Sequence, residues 1–442
     1  MHCRTQRIIS MAARNRFMIA LAISLALSPG AFAQSPDISS TVGERIQRIQ
    51  DRILSPPMLF GEPVGRSLAE RMAEDRVPGV SIAVIHNGEI EWARGFGVTR
   101  IGGPPVTSET LFQAASVSKP VAALAVLRLV ESGKLSLDDD VNQYLKSWKV
   151  EENDFTKSEK VTLRGLLTHT AGMTVRGFPG YAPGETIPTT VQILNGHAPA
   201  NTPPVFVDTN PRGQWRYSGG GYVVAQLLLE DVTRTPFAQL VRDLVLNPIG
   251  MTRSTYEQPL PAARMTQVAL PHDADGSLLP GGPHIYPEMA AAGLWTTPSD
   301  LARYAIEVQH ALTGKSAILS ATMAQHMLTP IPGMREHGLG PALGGSKERR
   351  YFYHSGSNAG YKCYLVAYNS GDGAVVMTNS DNADALRRDI INTIAYEYKW
   401  PDFQPEPRRL LSMSNALFAL VITAVGISGV VLFRRRRLRS LF

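Results

Sequence analysis

The sequence predicts an α+β fold: an antiparallel β-sheet flanked by helices, interrupted by a mainly helical insertion, with one transmembrane helix near the C-terminal end. Three observations predict it. Alternating apolar runs separated by turn residues occur near both ends of the chain, at 79–98 and at 361–378. Helical periodicity dominates the stretch between them. An uncharged apolar run at 416–433 ends in a cluster of arginines. A sheet assembled from two distant hairpins makes the intervening helices an insertion, which is an α+β arrangement.

The elements follow in order. Arg14 and Arg16 precede the apolar run 17–27, Ser28-Pro29-Gly30 breaks it, and Ala31-Phe32-Ala33 supplies small residues before Gln34. That is the layout of a secretory signal peptide, assigned to 1–33. Val42, Ile46, Ile49 and Ile53 recur at helical spacing and predict an opening amphipathic helix. Residues 79–98 alternate around Asn87-Gly88, a strong hairpin signal because both central positions need positive φ. A helix is predicted over 121–132, stopping at Gly133. The region 134–300 mixes short helices with loops rich in Pro and Gly, and 198–215 is a Pro-rich loop. Helices are predicted at 222–233 and at 237–246, the second ending at Asn247-Pro248. Residues 361–369 and 374–378 flank Gly371-Asp372-Gly373 as a second hairpin, and 386–398 read as a closing helix before Pro401.

Composition bounds the function. With 442 residues, 44% hydrophobic and 19% charged, the chain has room for two or three compact units and is not disordered, collagenous or coiled-coil. The formal net charge of +6 is unevenly placed. Residues 1–33 carry four Arg and no acid, and 408–442 carry seven Arg and no acid, which leaves 33 basic against 38 acidic residues over 34–407. Basic ends around a mildly acidic body speak of membrane topology and exclude a nucleic-acid-binding face. Leu410 and Leu411 extend the apolar run upstream, and Arg434 to Arg437 and Arg439 follow it. Such a cluster normally stays in the cytoplasm. The expectation is an exported domain at 34–407, a membrane span at 410–433 and a basic cytoplasmic tail at 434–442. Cys363 stands alone after the signal, so the exported domain has no internal disulfide, and its strand-like setting fits a small buried hydrophobe.

Three motifs carry chemistry. Ala115-Ser116-Val117-Ser118-Lys119-Pro120 opens the 121–132 helix. Ser116 and Lys119, three apart, share one face of a helical turn. The helix N-terminus directs free N–H groups at Ser116, and an amine beside the hydroxyl can take its proton. Arg216-Tyr217-Ser218-Gly219-Gly220-Gly221-Tyr222 places a phenol at a loop-to-helix junction, followed by glycines that suggest close backbone approach. His354-Ser355-Gly356-Ser357-Asn358-Ala359-Gly360-Tyr361 leads into the late hairpin.

In this order the three motifs resemble those of the serine β-lactamase and DD-peptidase superfamily, in its class C β-lactamase-like branch. Leu166-Leu167-Thr168-His169-Thr170-Ala171-Gly172 and Gly293-Leu294-Trp295-Thr296-Thr297-Pro298-Ser299-Asp300-Leu301-Ala302 resemble accessory stretches, and the likeness runs from about 65 to 398. The resemblance implies a β-lactamase/transpeptidase-like fold and an acyl-enzyme mechanism. It implies that Ser116 is the acylated nucleophile and Lys119 its proton acceptor. Tyr217 would shuttle protons to the leaving group, and His354 would replace the Lys of the last motif. Gly356 would let the strand edge approach the substrate, and the N–H groups of Ser116 and Ser357 would form the oxyanion hole. Gly219 stands where the second motif often ends in Asn, and His354 stands where most β-lactamases have Lys.

These features read as a membrane-anchored exported serine hydrolase acting on a small-molecule or peptide substrate that carries an ester, amide or peptide bond. β-Lactamase, D-peptidase and esterase are all open within that class. A non-catalytic penicillin- or peptidoglycan-binding sensor of the same fold is the alternative. No cofactor is expected, and the remaining histidines show no metal-ligand spacing such as H-E-x-x-H. No G-x-S-x-G occurs, so an α/β-hydrolase elbow is not indicated.

Overall fold

Residues 41–55, 64–334, 336–346 and 349–400 are described by a computed structural model of the chain. The signal expected at 1–33, the span at 410–433 and the tail at 434–442 lie outside the described residues. Among the described residues no helix is long and apolar enough to cross a membrane.

Helix α1 (Val42–Asp51) opens with a capping box: Thr41 accepts the Glu44 N–H at 3.2 Å and the Glu44 carboxylate accepts the Thr41 N–H at 2.9 Å. The predicted periodicity reached Ile53, but the helix ends at Asp51. Ile53–Ser55 instead forms a short strand pair with Val64–Arg66. Helix α2 (Leu68–Glu74) follows, then the hairpin of β1 (Gly79–His86) and β2 (Glu89–Gly97). Asn87 and Gly88 both take positive φ, 54° and 79°, as the Asn-Gly signal requires. The insertion contains α3 (Ser118–Glu131), α4 (Gly219–Thr233) and α5 (Pro298–Leu312) among shorter helical turns. The helix predicted over 237–246 is instead a short α-helix, Phe237–Val241, continued by a wider π-type turn, Arg242–Leu246. Four strands close the sheet: β3 (Ala342–Gly344), β4 (Tyr351–Asn358), β5 (Tyr361–Tyr368) and β6 (Gly373–Thr378). Helix α6 (Asp384–Glu397) follows them.

The six strands form one antiparallel sheet in the order β2-β1-β6-β5-β4-β3. The first hairpin pairs with the last strand, Ile82 opposite Val376, so the two chain ends build the sheet and the helices between them are an insertion. Alternation then assigns the faces. Val80, Ile82 and Val84 of β1, with Val366 and Val376, pack under α1, α2 and α6 against Ile49, Leu68, Leu386 and Ile390. Ala83 and Ile85, with Cys363, Leu365 and Met377, face the larger core made by the insertion. Every one of these side chains is buried, so β1, β5 and β6 are covered on both faces and depart from the one-sided alternation expected of them.

One polar link fastens the helical layer on the terminal face. Arg71 of α2 reaches Asp389 of α6 at 2.8 Å, and both side chains are buried. Ser55 adds a hydrogen bond to the same carboxylate at 2.9 Å. Arg71 is also paired with Asp75 at 3.1 Å, so removing Asp389 leaves it one carboxylate and costs less than the roughly 3–5 kcal/mol of a fully stranded buried charge. Asp389→Ala is therefore expected to lower the thermal midpoint by several degrees, measured by circular dichroism. An unchanged midpoint would show that this pair does not hold α2 to α6.

Candidate active site

The site begins with a strained turn. Ala115–Val117 is one turn of 3₁₀-helix feeding α3, and Ala115 sits at φ +50°. A left-handed alanine persists only where its surroundings fix it. Here Ala114 N–H donates to Leu294 O at 2.8 Å, and the Ser118 hydroxyl donates to Ala115 O at 2.5 Å while accepting Leu294 N–H at 3.0 Å. Tyr256 O–H holds Ser118 O at 2.6 Å. Ser116 is thereby presented at the mouth of a cleft of about 860 Å³.

Lys119 lies beneath it, one helical turn on, and is 2% exposed. Its ammonium nitrogen donates to Ser116 Oγ at 3.1 Å and to Ala291 O at 2.7 Å. It forms no ion pair with a carboxylate among the described residues. The rings of Tyr217 and Tyr222 flank it, their centroids 5.0 and 5.7 Å from Nζ.

Tyr217 precedes α4, whose cap Ser218 accepts the Gly221 N–H at 3.0 Å. Carbonyls of three consecutive residues dock on this turn. Thr174 O accepts from Ser218 Oγ at 2.6 Å, Val175 O from Gly220 N–H at 3.0 Å and Arg176 O from Gly219 N–H at 3.0 Å. A Cβ at Gly219 would stand 3.1 Å from Arg176 O, and one at Gly220 would stand 2.9 Å from Thr174 O. Gly220 leaves no room for a side chain, and at Gly219 a Cβ would also press on the Phe178 ring at 3.0 Å, which disfavours Asn there. His169 packs on Tyr217 with ring centroids 4.2 Å apart and planes tilted by 37°, and its Nδ1 accepts the Ser218 N–H at 3.1 Å.

His354, Gly356 and Ser357 come from β4. Strand β3 pairs only with Tyr351–Tyr353 of β4, so the edge beyond is left without a strand partner. The Ser116 turn packs there. A Cβ at Gly356 would lie 2.2 Å from Ala114 O, an impossible contact, so only glycine permits this approach. His354 Nδ1 donates to Ser355 O at 2.8 Å, which leaves Nε2 as an acceptor. Burial, then the charge of Lys119 and the neighbouring His337, push the His354 pKa down to about 3, so the imidazole is neutral. Burial also drives His169 well below its ordinary value, with His337 and Lys119 acting in the same direction. Ser357 Oγ accepts from Lys362 Nζ at 2.7 Å, and Lys362 is paired with Asp381 at 3.0 Å.

The structure thus brings the six sequence-derived residues to one place. Ser116, Tyr217, His354, Gly356 and Ser357 line the cleft, and Lys119 supports Ser116 from below. Sequence reasoning missed Arg176, Trp215 and His337, which line the same cleft. It also missed the Ala291 carbonyl that anchors Lys119. His337 lies in no motif, and a backbone carbonyl leaves no mark in a sequence. His169, from an accessory stretch, packs its ring directly on Tyr217.

The family model described as Beta-lactamase matches residues 64–396. Protein flp of Staphylococcus aureus is 26% identical over 244 residues, 54% of this chain and 45% of that protein. Esterase EstB of Burkholderia gladioli is 34% identical over 192 residues, 41% of this chain and 48% of that protein. The chain therefore spans about half the length of the curated relatives it matches. Among solved structures, the octameric penicillin-binding protein homologue from Pyrococcus abyssi aligns with a TM-score of 0.63, 25% identity and 77% of each chain. D-amino acid amidase from Ochrobactrum anthropi aligns with a TM-score of 0.61 over 80% of this chain and 99% of its own, at 19% identity, a likeness of fold.

The neutral histidine has a consequence for stability. The unfolded chain takes up a proton at His354 near pH 6.5, whereas the fold refuses it until about pH 3. Stability from this group is complete above pH 6.5. It is lost as pH falls below that, by up to about 1.4 kcal/mol per unit. Thermal midpoints measured between pH 7.5 and 5 are expected to fall in the wild type and to fall less steeply in His354→Gln. Equal slopes in both proteins would contradict a buried neutral imidazole.

Proposed function

The chain belongs to the Beta-lactamase family, and from that premise we propose that it is a serine hydrolase working through an acyl-enzyme on Ser116. The observation that carries the reading is the Lys119 Nζ to Ser116 Oγ hydrogen bond of 3.1 Å, in a cleft that Tyr217 also lines. A hydroxyl is a weak nucleophile until a neighbouring base takes its proton. Lys119 Nζ is the basic atom bonded to Oγ, and it is the free-amine form of that side chain that receives the proton as Oγ attacks the substrate carbonyl carbon. The oxyanion that forms is held by the N–H groups of Ser116 and Ser357, donors that contribute about 3–4 kcal/mol each in comparable sites. Collapse breaks the bond to the leaving group, and Tyr217 gives that group a proton. Water then attacks the ester on Ser116 and gives its proton to Tyr217, the acyl–Oγ bond breaks, Lys119 returns its proton to Ser116 Oγ, and the acid product leaves. His354, uncharged, supplies a polar wall that does not compete with Lys119 for the developing negative charge.

The substrate class is an ester, amide or peptide carbonyl, with β-lactams included. Similarity to Esterase EstB makes a short chromogenic ester the first substrate to try. The sensor alternative is motivated by Gly219 alone, and tight packing of that position against Phe178 and Arg176 O gives the missing Asn a structural reason as well.

The test is turnover of p-nitrophenyl esters by the purified protein. Ser116→Ala is expected to abolish it, and Lys119→Ala and Tyr217→Phe to lower kcat by about 10²–10⁴-fold, the usual loss with a proton-transfer group. Near-normal rates in the last two variants would remove their assigned roles, and turnover by Ser116→Ala would remove the nucleophile.

The same reading places the hydrolase domain outside the cytoplasm, tethered by the apolar run that ends at Arg434–Arg437. Expressed in bacteria, the full chain is expected to stay in the membrane pellet after alkaline carbonate extraction, and a chain ending at Arg409 to be released. Release of both would exclude the anchor.

A further inference from the structure

An oxyanion donor has to be held to a fraction of an ångström, and the Ser357 N–H belongs to a strand that has lost its neighbour on one side. Strand β3 pairs only with Tyr351–Tyr353. From Ser355 to Asn358 the ladder runs on the β5 side alone, Ser355 opposite Tyr364 and Ser357 opposite Lys362, and it ends at the two-residue turn Ala359-Gly360. Alternation along β4 turns the backbone of positions 355 and 357 to the bare edge. Ser355 O is accordingly free to accept His354 Nδ1 at 2.8 Å. A strand end paired on one side only opens locally unless other groups tie it down.

Side chains from other elements do that here, one residue at a time. Gly356 O accepts from Arg387 of α6 at 3.1 Å. The Asn358 amide donates to Gln113 Oε1 at 2.7 Å and to Ala292 O at 3.1 Å. Ser357 lies between these two fastenings, and its own anchor is Lys362. The ammonium donates to Ser357 Oγ at 2.7 Å and to Asp381 Oδ1 at 3.0 Å. Asp381 also accepts the Gly360 N–H at 3.1 Å, so one carboxylate ties the ammonium to the turn. Ser357 and Lys362 are a cross-strand pair, with both side chains on the sheet face opposite that of His354. Lys362 is 7% exposed, and among the described residues it is not one that lines the cleft. Burying an ammonium costs desolvation that an apolar side chain of similar length would avoid, so packing alone does not explain a cation at this position.

We propose that Lys362 is a positioning residue for the oxyanion hole: by gripping Ser357 Oγ, and held in turn by Asp381, it fixes the Ser357 N–H at the bare edge of β4. This rests on the acyl-enzyme reading of Ser116. It adds to that reading a residue that acts through Ser357 and not on the substrate. Negative charge on the carbonyl oxygen grows only as Ser116 Oγ attacks. A displaced donor therefore weakens the transition state and leaves ground-state binding of the substrate nearly as it was.

The experiment is steady-state turnover of p-nitrophenyl butyrate by the full chain, read beside hydrogen–deuterium exchange by mass spectrometry. Lys362→Met is expected to lower kcat about 10–100-fold, less than the ~10²–10³-fold loss when an oxyanion donor is removed outright, with KM unchanged within about twofold. Lys362→Arg is expected to restore part of that rate. Ser357→Ala keeps the N–H and loses only the grip. It is expected to match Lys362→Met, and the double variant to fall no further than either single one. Deuterium uptake at 354–358 is expected to rise in both single variants while that of β6 stays at the wild-type level. A rise in KM alone, or losses that add in the double variant, would overturn the role. Should Lys362→Met loosen the whole sheet, Ser357→Ala decides, because its side chain is exposed: unchanged kcat and uptake in that variant overturn the role. If the wild type turns over no ester but uptake at 354–358 rises in both variants, the hydrolase reading fails and the positioning stands. Unchanged uptake in both overturns the positioning whether or not esters are hydrolysed.

Discussion

The absence of a side chain at position 356 lets the Ser116 turn sit against the edge of β4. A Cβ there would lie 2.2 Å from Ala114 O and 3.1 Å from the Ala115 side chain. Contact at that range fixes the distance between a helix of the insertion and a strand of the sheet. It therefore fixes where Ser116 lies relative to Ser357 two residues on. The same contact explains the strained alanine before Ser116: the turn is clamped between Leu294 on one side and β4 on the other, and its backbone has no room to relax. Sheet order follows from the same need. β4 can offer a bare edge because β3 covers only its first three residues.

Around that contact the electrostatics are arranged by burial. Lys119 is shut away with a serine and a carbonyl as its hydrogen-bond acceptors, flanked by phenol rings, and the imidazoles of His169 and His354 nearby are held neutral. A carboxylate in this space would bind the amine and draw it from Ser116. The site instead keeps its donors pointed at the hydroxyl. The turn that carries Tyr217 is held by two backbone hydrogen bonds and one from the Ser218 hydroxyl, which dock the 174–176 segment on it, and the His169 ring packs on Tyr217 itself.

What could be read from the sequence was what is local. The two hairpins were legible because Asn87-Gly88 and Gly371-Asp372-Gly373 are turn chemistry, and their union into one sheet followed from the lack of any other partner for either. Ser116 and Lys119 were legible because a helical turn brings positions three apart together, and Tyr217 and His354 because their motifs are ordered as in a known family. Features that depend on convergence left no signal. Ala291 anchors Lys119 through a carbonyl, Arg176 reaches the cleft through a backbone docked 42 positions upstream of Ser218, and His337 enters from a loop without pattern. The opening helix ran to Ile53 in the periodicity because the next apolar residue of a strand happens to fall on the helical stripe. The break at Arg242 in the second insertion helix was invisible for the converse reason: its apolar spacing suits either kind of turn.

The proposed chemistry requires a nucleophile, its amine and two amide donors to meet at one carbonyl. Crystallography of the protein inhibited by a monofluorophosphonate examines that meeting directly. The expected adduct has phosphorus bonded to Ser116 Oγ, its phosphoryl oxygen about 3 Å from the amide nitrogens of both Ser116 and Ser357, and the Tyr217 hydroxyl facing the leaving-group position. Phosphorus on another residue, or a phosphoryl oxygen turned toward solvent with both amides bonded elsewhere, would contradict it.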